Sequence, residues 1–370
     1  MDSAMLRQTV IRRFAFFVAI IAYSGQYARQ LPRRKIMKKI ITAIIALVVV
    51  VVAAIFLTGH GNGNKSAATK KVPTVGILQL MSHPALDQIH QGVVQGLKDG
   101  GYSGKKIKIK FANAEADQSN LKTMSEKFLD EGADMTVAIA TPVAQALATA
   151  SKGKTPVILA GITDPAGSGL VKSENKPGNN ITGTSGEAPL NKHLQVVEAI
   201  KPNAKQIGII YSPSDHGGTY NAKKFAKLAA ADGQKTKLYT ISNTNDVQQV
   251  AAQMVSECDV VYAPQDNLVA SSMKTLVSVA NNAKVPVIPA ADTMVKDGGL
   301  AAYAISQFDL GRYAGKMAVK VLNGKKTENY PVKHVLNGSY VINTKEAKIL
   351  GIKLPANMVK NAQKNHEVFK

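Results

Sequence analysis

ADMTVAIATPVAQALATASKGKTPVILAGITD, residues 133–164, reads as a strand, a helix and a second strand. MTVAIA (135–140) and PVILAG (156–161) are short apolar runs of the kind that a strand buried on both faces requires. A helix opens at Pro142, whose missing N–H would be unsatisfied in a first helical turn in any case. Strand and helix in alternation predict a parallel sheet covered on both faces.

The pattern extends in both directions. Before it stand TVGILQL (74–80), a helix over 84–99 with Leu86, Ile89, Val93, Val94 and Leu97 at helical spacing, and KIKIKF (106–111), a strand with one wet face. A helix near 117–131 leads into the opening stretch, and NITGTS (180–185) follows as a fifth strand. The second half then repeats the order. QIGIIYSPSD (206–215) answers TVGILQL, TKLYTISNTNDVQQ (236–249) answers KIKFANAEADQSN (108–120), and CDVVYAPQDN (258–267) answers ADMTVAIATP (133–142). VPVIPAADT (285–293) answers TPVILAGITD (155–164), and LAAYAIS (300–306) answers NITGTS. The expected fold is α/β: two similar doubly wound parallel-sheet lobes joined by a multi-strand hinge. Lobe one takes 73–187, with 308–328 returning to it; lobe two takes 188–307, with 333–365 returning.

Charge is uneven along the chain. The first 71 of 370 residues hold 12 of the 46 basic residues and one of the 25 acidic ones, so +10 of the net +21 belongs to 72–370. That leaves a mildly basic surface over two domains' worth of chain. With no Trp and 5% aromatics, a base-stacking platform for nucleic acid is not expected. The lone Cys258 excludes an intramolecular disulfide framework and a Cys-cluster metal site. IITAIIALVVVVVAAIFL (40–57) is long enough, at about 27 Å as a helix, to cross a bilayer core. Lys38 and Lys39 precede it as a signal or positive-inside flank would. We read 37–58 as a signal or membrane anchor, 59–72 as a flexible tether, and 1–36 as an upstream extension before an initiator Met37. FAFFVAIIAY (14–23) leaves a second membrane-associated segment as the alternative.

Several motifs in one order carry a resemblance. GILQLMSHPALDQIHQGVVQGLKDGGY (76–102), ATPVAQALA (140–148), GITDPAGSGLV (161–171), PGNNITGTS (177–185) and YAPQDNLV (262–269) resemble the ABC-transporter substrate-binding proteins of the tryptophan/tyrosine-binding type. The resemblance spans 73–345. It implies a type I periplasmic-binding clamp, without catalysis, that captures a small ligand outside the cell for a membrane ABC permease. An aromatic amino acid is the cargo it suggests, and the chain is expected to work as a monomer. One departure concerns anchoring. A lipobox Cys is usual after the apolar core of such signals in monoderm bacteria, and here LTG is followed by His60, which cannot be thiol-lipidated. The expected location is extracytoplasmic, attached through 40–57 itself, or secreted if that segment is cleaved.

In an open parallel sheet, ligands bind beyond the carboxyl ends of the strands. That rule selects Gln79, Thr141, Thr163, Asp164 and Ser185 in lobe one, and Ser212, Asp266, Asn267 and Asp292 in lobe two. Thr141 and Ser212 precede helices whose free N–H groups suit a carboxylate. A ligand ammonium needs an ionised acceptor; Asp266 is first choice, with Asp164 or Asp292 second. Each has a plainer role open to it, since Asp and Ser often cap helices and Asp164 before Pro165 can shape a turn. His83 before Pro84 reads as a turn residue, and with His90 it lacks an acidic third ligand, so neither a metal nor a cofactor is expected. No G-x-S-x-G, Walker or H-E-x-x-H motif occurs. Adjacent Ser214, Asp215 and His216 do not suit triad geometry. GHGNG (59–63) follows an apolar segment instead of a strand, so it does not read as a dinucleotide fingerprint. A receptor subunit sensing its ligand through the same clamp, or a binder of another small solute, remains the competing reading.

Overall fold

The computed structural model describes residues 71–370. The membrane segment 37–58, the tether up to residue 70 and residues 1–36 lie outside the described residues. Among the described residues no helix is long and apolar enough to cross a membrane.

The first sheet has six parallel strands in the order β11-β5-β4-β3-β1-β2. They are β1 (Thr74–Gln79), β2 (Lys108–Asn113), β3 (Met135–Ile139), β4 (Val157–Ile162), β5 (Ile181–Ser185) and the short β11 (Lys333–His334). Helices α1 (Pro84–Asp99), α2 (Gln118–Asp130) and α3 (Thr141–Ser151) connect them. The second sheet is parallel too, in the order β7-β6-β8-β9. Its strands are β6 (Ile207–Tyr211), β7 (Thr236–Thr240), β8 (Val260–Ala263) and β9 (Val287–Pro289). The connecting helices are α4 (Leu190–Ile200), α5 (His216–Ala231), α6 (Val247–Glu257), α7 (Asn267–Ser271), α8 (Met273–Asn282) and α9 (Asp292–Lys296).

Both sheets thus run second strand, first, third, fourth. The likeness reaches single residues. Gly76 in β1 and Gly208 in β6 each occupy the third position of their motif. A Cβ at Gly76 would strike the Phe128 ring of α2 at 2.7 Å, and one at Gly208 would strike Met254 of α6 at 2.6 Å. In both halves a large side chain of the second helix seats on the first strand, and only glycine leaves it room.

The halves part at their fifth strands. β5 adds to its sheet in parallel, whereas β10 (Ala301–Ile305) pairs antiparallel with β12 (Gly338–Asn343). The parallel repeat expected for LAAYAIS therefore does not form. β12 closes the edge that a lone β10 would leave open, and β13 (Val368–Phe369) then pairs with β12. Helices α11 (Thr344–Leu350) and α12 (Ala356–Lys364) pack in this second lobe, where Met358 and Ala362 join its core.

Helix α10 (Gln307–Leu322) leaves β10 and lies instead along α1 of the first lobe. The two helices touch backbone to backbone. A Cβ at Gly92 would fall 2.1 Å from the Phe308 carbonyl oxygen, at Gly96 2.2 Å from that of Arg312, and at Gly315 2.3 Å from that of Val93. Arg312 Nε closes the seam on Asp99 at 2.6 Å. The chain crosses between lobes three times: after β5, after β10, and between β11 and β12.

Candidate functional site

In each sheet the winding reverses beside the first strand, so the crevice opens between β1 and β3 and between β6 and β8. These two crevices face one another across a cavity. Its first-lobe wall includes His83, Leu86, Ile89, Thr141, Gly161 and Thr163, and its second-lobe wall Asp215, Asp266, Asn267, Ala291 and Met294. About 70 Å³ is open to the centres of water molecules. One water needs about 10–15 Å³ on this measure, so the space suits a few waters or one small solute and no polymer.

Two carboxylates sit on the second-lobe wall. Asp266 is 2% exposed and caps α7, accepting from the Leu268 and Val269 N–H groups at 3.0 and 3.1 Å. Its other oxygen accepts from the Ser212 N–H at 2.7 Å, which ties the end of β6 to the end of β8. Asp215 caps α5 through the Gly218 N–H at 3.0 Å and also accepts from the Asn267 backbone N–H at 3.0 Å. Burial, and after it the Asp215 carboxylate, push Asp266 up to about 8 against the pull of three N–H donors. Two acids thus share one wall of the cavity.

The glycines after Asp215 make the arrangement possible. A Cβ at Gly218 would lie 2.1 Å from Asp266 Oδ2, and one at Gly217 would lie 3.2 Å from the Thr163 Cβ of the facing lobe. The first turn of α5 can therefore lie flat against both.

Two histidines make polar contacts across the cleft. His83 Nε2 meets Asn267 Oδ1 at 3.2 Å, and His216 Nε2 approaches Asp164 at 3.6 Å. Since Asn267 Oδ1 only accepts, His83 carries its proton on Nε2. Burial lowers the His83 pKa and favours the neutral ring, while the bond to Asn267 pulls the other way. Asn267 in turn donates its amide to Asp215. Asn267 and Asp215 also line a second cavity, shared with Pro142, Ser214 and Leu268.

Of the residues chosen from the sequence, Thr141, Thr163, Asp266 and Asn267 meet at the cavity. The others stand outside its lining. Gln79 donates to the Met81 carbonyl and to Asp87, which holds the turn from β1 into α1. Ser185 Oγ accepts from the Glu187 N–H, and Ser212 Oγ pairs with Ser214. Asp164, at φ +49°, accepts from the Gly167 N–H in its turn. Asp292 has Glu367 as a charged neighbour, and burial raises its pKa to about 6.

The sequence reading passed over Asp215, His83 and Gln307, all of which line the cavity. His83 is more than the turn residue it was read as, because its ring crosses to the other lobe. Asp215 stands as a helix cap four residues beyond β6, and that capping position, ahead of HGG, was the available signal.

Comparisons with known proteins agree with this architecture. Residues 74–366 match the family described as ABC transporter substrate binding protein. A tyrosine-binding protein of Clostridioides difficile is 37% identical over 301 residues, which cover 81% of this chain and 87% of that protein. A structure from Streptococcus pneumoniae, described as an ABC domain in complex with L-Trp, is 41% identical and superposes with a TM-score of 0.76, covering 78% of this chain and 98% of that one. A ligand-free, open substrate-binding protein from Clostridium difficile is 36% identical and covers 77% of this chain and 97% of that one, but superposes at 0.62. At similar identity and coverage, the chain superposes better on the L-Trp complex than on the open protein. With two facing α/β lobes, a small cleft between their switch points and a family match over nearly all the described residues, this chain belongs to the ABC transporter substrate-binding proteins.

Proposed function

We propose that the chain captures an aromatic amino acid in the interlobe cleft and delivers it to an ABC permease from outside the membrane. The observation that carries this is the pairing of Asp215 and Asp266 on one wall with the start of α3 on the other. Asp215 offers a carboxylate to an ammonium, and the positive charge beside it would favour the ionised form of Asp266. The free N–H groups at Thr141, in the first turn of an 11-residue helix, suit a carboxylate. Leu86, Ile89, Leu310 and Met294 supply an apolar remainder for the side chain. The relatives' cargoes, tyrosine in one and L-Trp in another, support the same class. In this reading the lobes follow the boundaries given above, the protein acts as a monomer, and residues 40–57 hold it at the membrane.

The test is a thermal-shift panel on the purified full chain with amino acids, sugars and short peptides. A ligand at a hundred times its dissociation constant adds about 2.7 kcal/mol. We expect tyrosine or tryptophan to raise the melting temperature. A response confined to sugars or peptides overturns the proposal.

A further inference from the structure

We infer that Gln307 selects a cargo whose ring carries a hydrogen-bond donor, an inference that rests on the aromatic amino-acid reading above. Gln307 is the first residue of α10, immediately past the second lobe crossing, and is 4% exposed. It lines the cleft. Its Nε2 donates to the Ile305 carbonyl at 3.1 Å. A carbonyl oxygen only accepts, so this bond fixes which way the amide faces; the reverse orientation would set two oxygens against each other. Oε1 is the atom left over. Among the described residues it accepts no hydrogen bond, and it is not among the sealed polar atoms that lack a partner. Left partly accessible on a cleft-lining residue, Oε1 can accept from water or from a donor brought in by the cargo.

The cleft lining says which end of the cargo Gln307 meets. Asp266 follows β8 and Gln307 follows β10, with β9 and Met294 between them in chain order. With the ammonium at Asp266 and the carboxylate at Thr141, the side chain is left to the remaining lining, which holds Leu86, Ile89, Leu310 and Gln307. Gly161, Ile89 and Leu310 give the cleft an apolar slot, packed closely enough that a Cβ at Gly161 would meet Ile89 at 3.3 Å and Leu310 at 3.6 Å. A phenol O–H or an indole N–H at the far end of that slot satisfies Oε1. A plain phenyl ring strips water from Oε1 and returns nothing. A site that hydrogen-bonds a polar group rejects the analogue lacking it far more strongly than an apolar slot rejects a small change of size.

Isothermal titration of the full chain with L-tyrosine, L-tryptophan and L-phenylalanine, repeated on Gln307→Leu, tests this. We expect wild type to prefer tyrosine or tryptophan over phenylalanine by about tenfold or more. In Gln307→Leu that preference should collapse while phenylalanine binds as well or better. A tyrosine-to-phenylalanine ratio unchanged by the substitution overturns the inference and leaves the aromatic reading standing. If the variant does not fold, the wild-type ratio decides alone: a value near one overturns the assignment. No binding of any aromatic amino acid by wild type overturns both.

Discussion

The two lobes share a winding order but not a chemistry. Along the cleft the first lobe presents His83, Thr141 and Thr163, groups that are neutral or easily so, while the second presents Asp215 and Asp266. The difference continues into the interiors. The second lobe buries His193, whose Nδ1 meets the Tyr262 hydroxyl at 2.8 Å and whose Nε2 donates to the Tyr303 carbonyl at 2.9 Å. The first lobe is fastened by backbone contact between α1 and α10. One half is fastened at a backbone seam, and the other buries a histidine between two tyrosines. A duplicated fold has thus divided its labour, with electrostatics on one side and a steric frame on the other.

The strongest way to break this comparison is at the seam. Gly315→Leu would drive a side chain into the Val93 carbonyl and should prevent folding altogether, a loss greater than about 5 kcal/mol. Soluble protein with a near-normal melting temperature would show the seam to be incidental.

Asp266→Ala comes next. It strands three buried N–H groups as well as any ligand ammonium, so we expect about 3–5 kcal/mol lost from the ligand-free protein. Affinity for the cargo should fall too, because the ammonium loses its partner. A ligand-free melting temperature that stays put would mean these caps contribute little.

The smallest of the three effects is set by pH. Burial, its largest influence, holds His193 at about 4, below the usual 6.5 of the unfolded chain. The unfolded state therefore binds the proton first as pH falls. Stability is full above about 6.5 and is lost through 4, by about 3 kcal/mol in all. Hydrogen exchange at pH 4.5 and pH 7 should show α4 and β8 loosening before the strands of the first sheet. Uniform loosening of both lobes, or none, would erase the contrast.

Much of this architecture was legible in the sequence because buried parallel strands write themselves as apolar runs. The stretch 133–164 already contains β3, α3 and β4. What it could not convey was β10 turning to an antiparallel partner, since a strand's own residues do not specify which neighbour covers its edge. The strand-end rule reached Thr141, Thr163, Asp266 and Asn267 for a related reason: it locates the rim of a sheet. It gives no direction to a side chain, so Gln79 and Asp292 were chosen from the same rim and face other partners. Gln307 escaped because Ser306, one residue earlier, looked like the polar end of the strand. Ser306 instead spends its hydroxyl capping α10 through the Asp309 N–H.

The glycine contacts between α1 and α10 also settle what kind of movement the clamp allows. Sliding one packed helix along another requires side chains that exchange rotamers through small displacements. Here backbone meets backbone, and an intermediate register would press Cα atoms into carbonyl oxygens. Shear is closed to this seam. The seam therefore keeps 307–322 with the first lobe as one rigid piece, although the chain reaches it from a strand of the second.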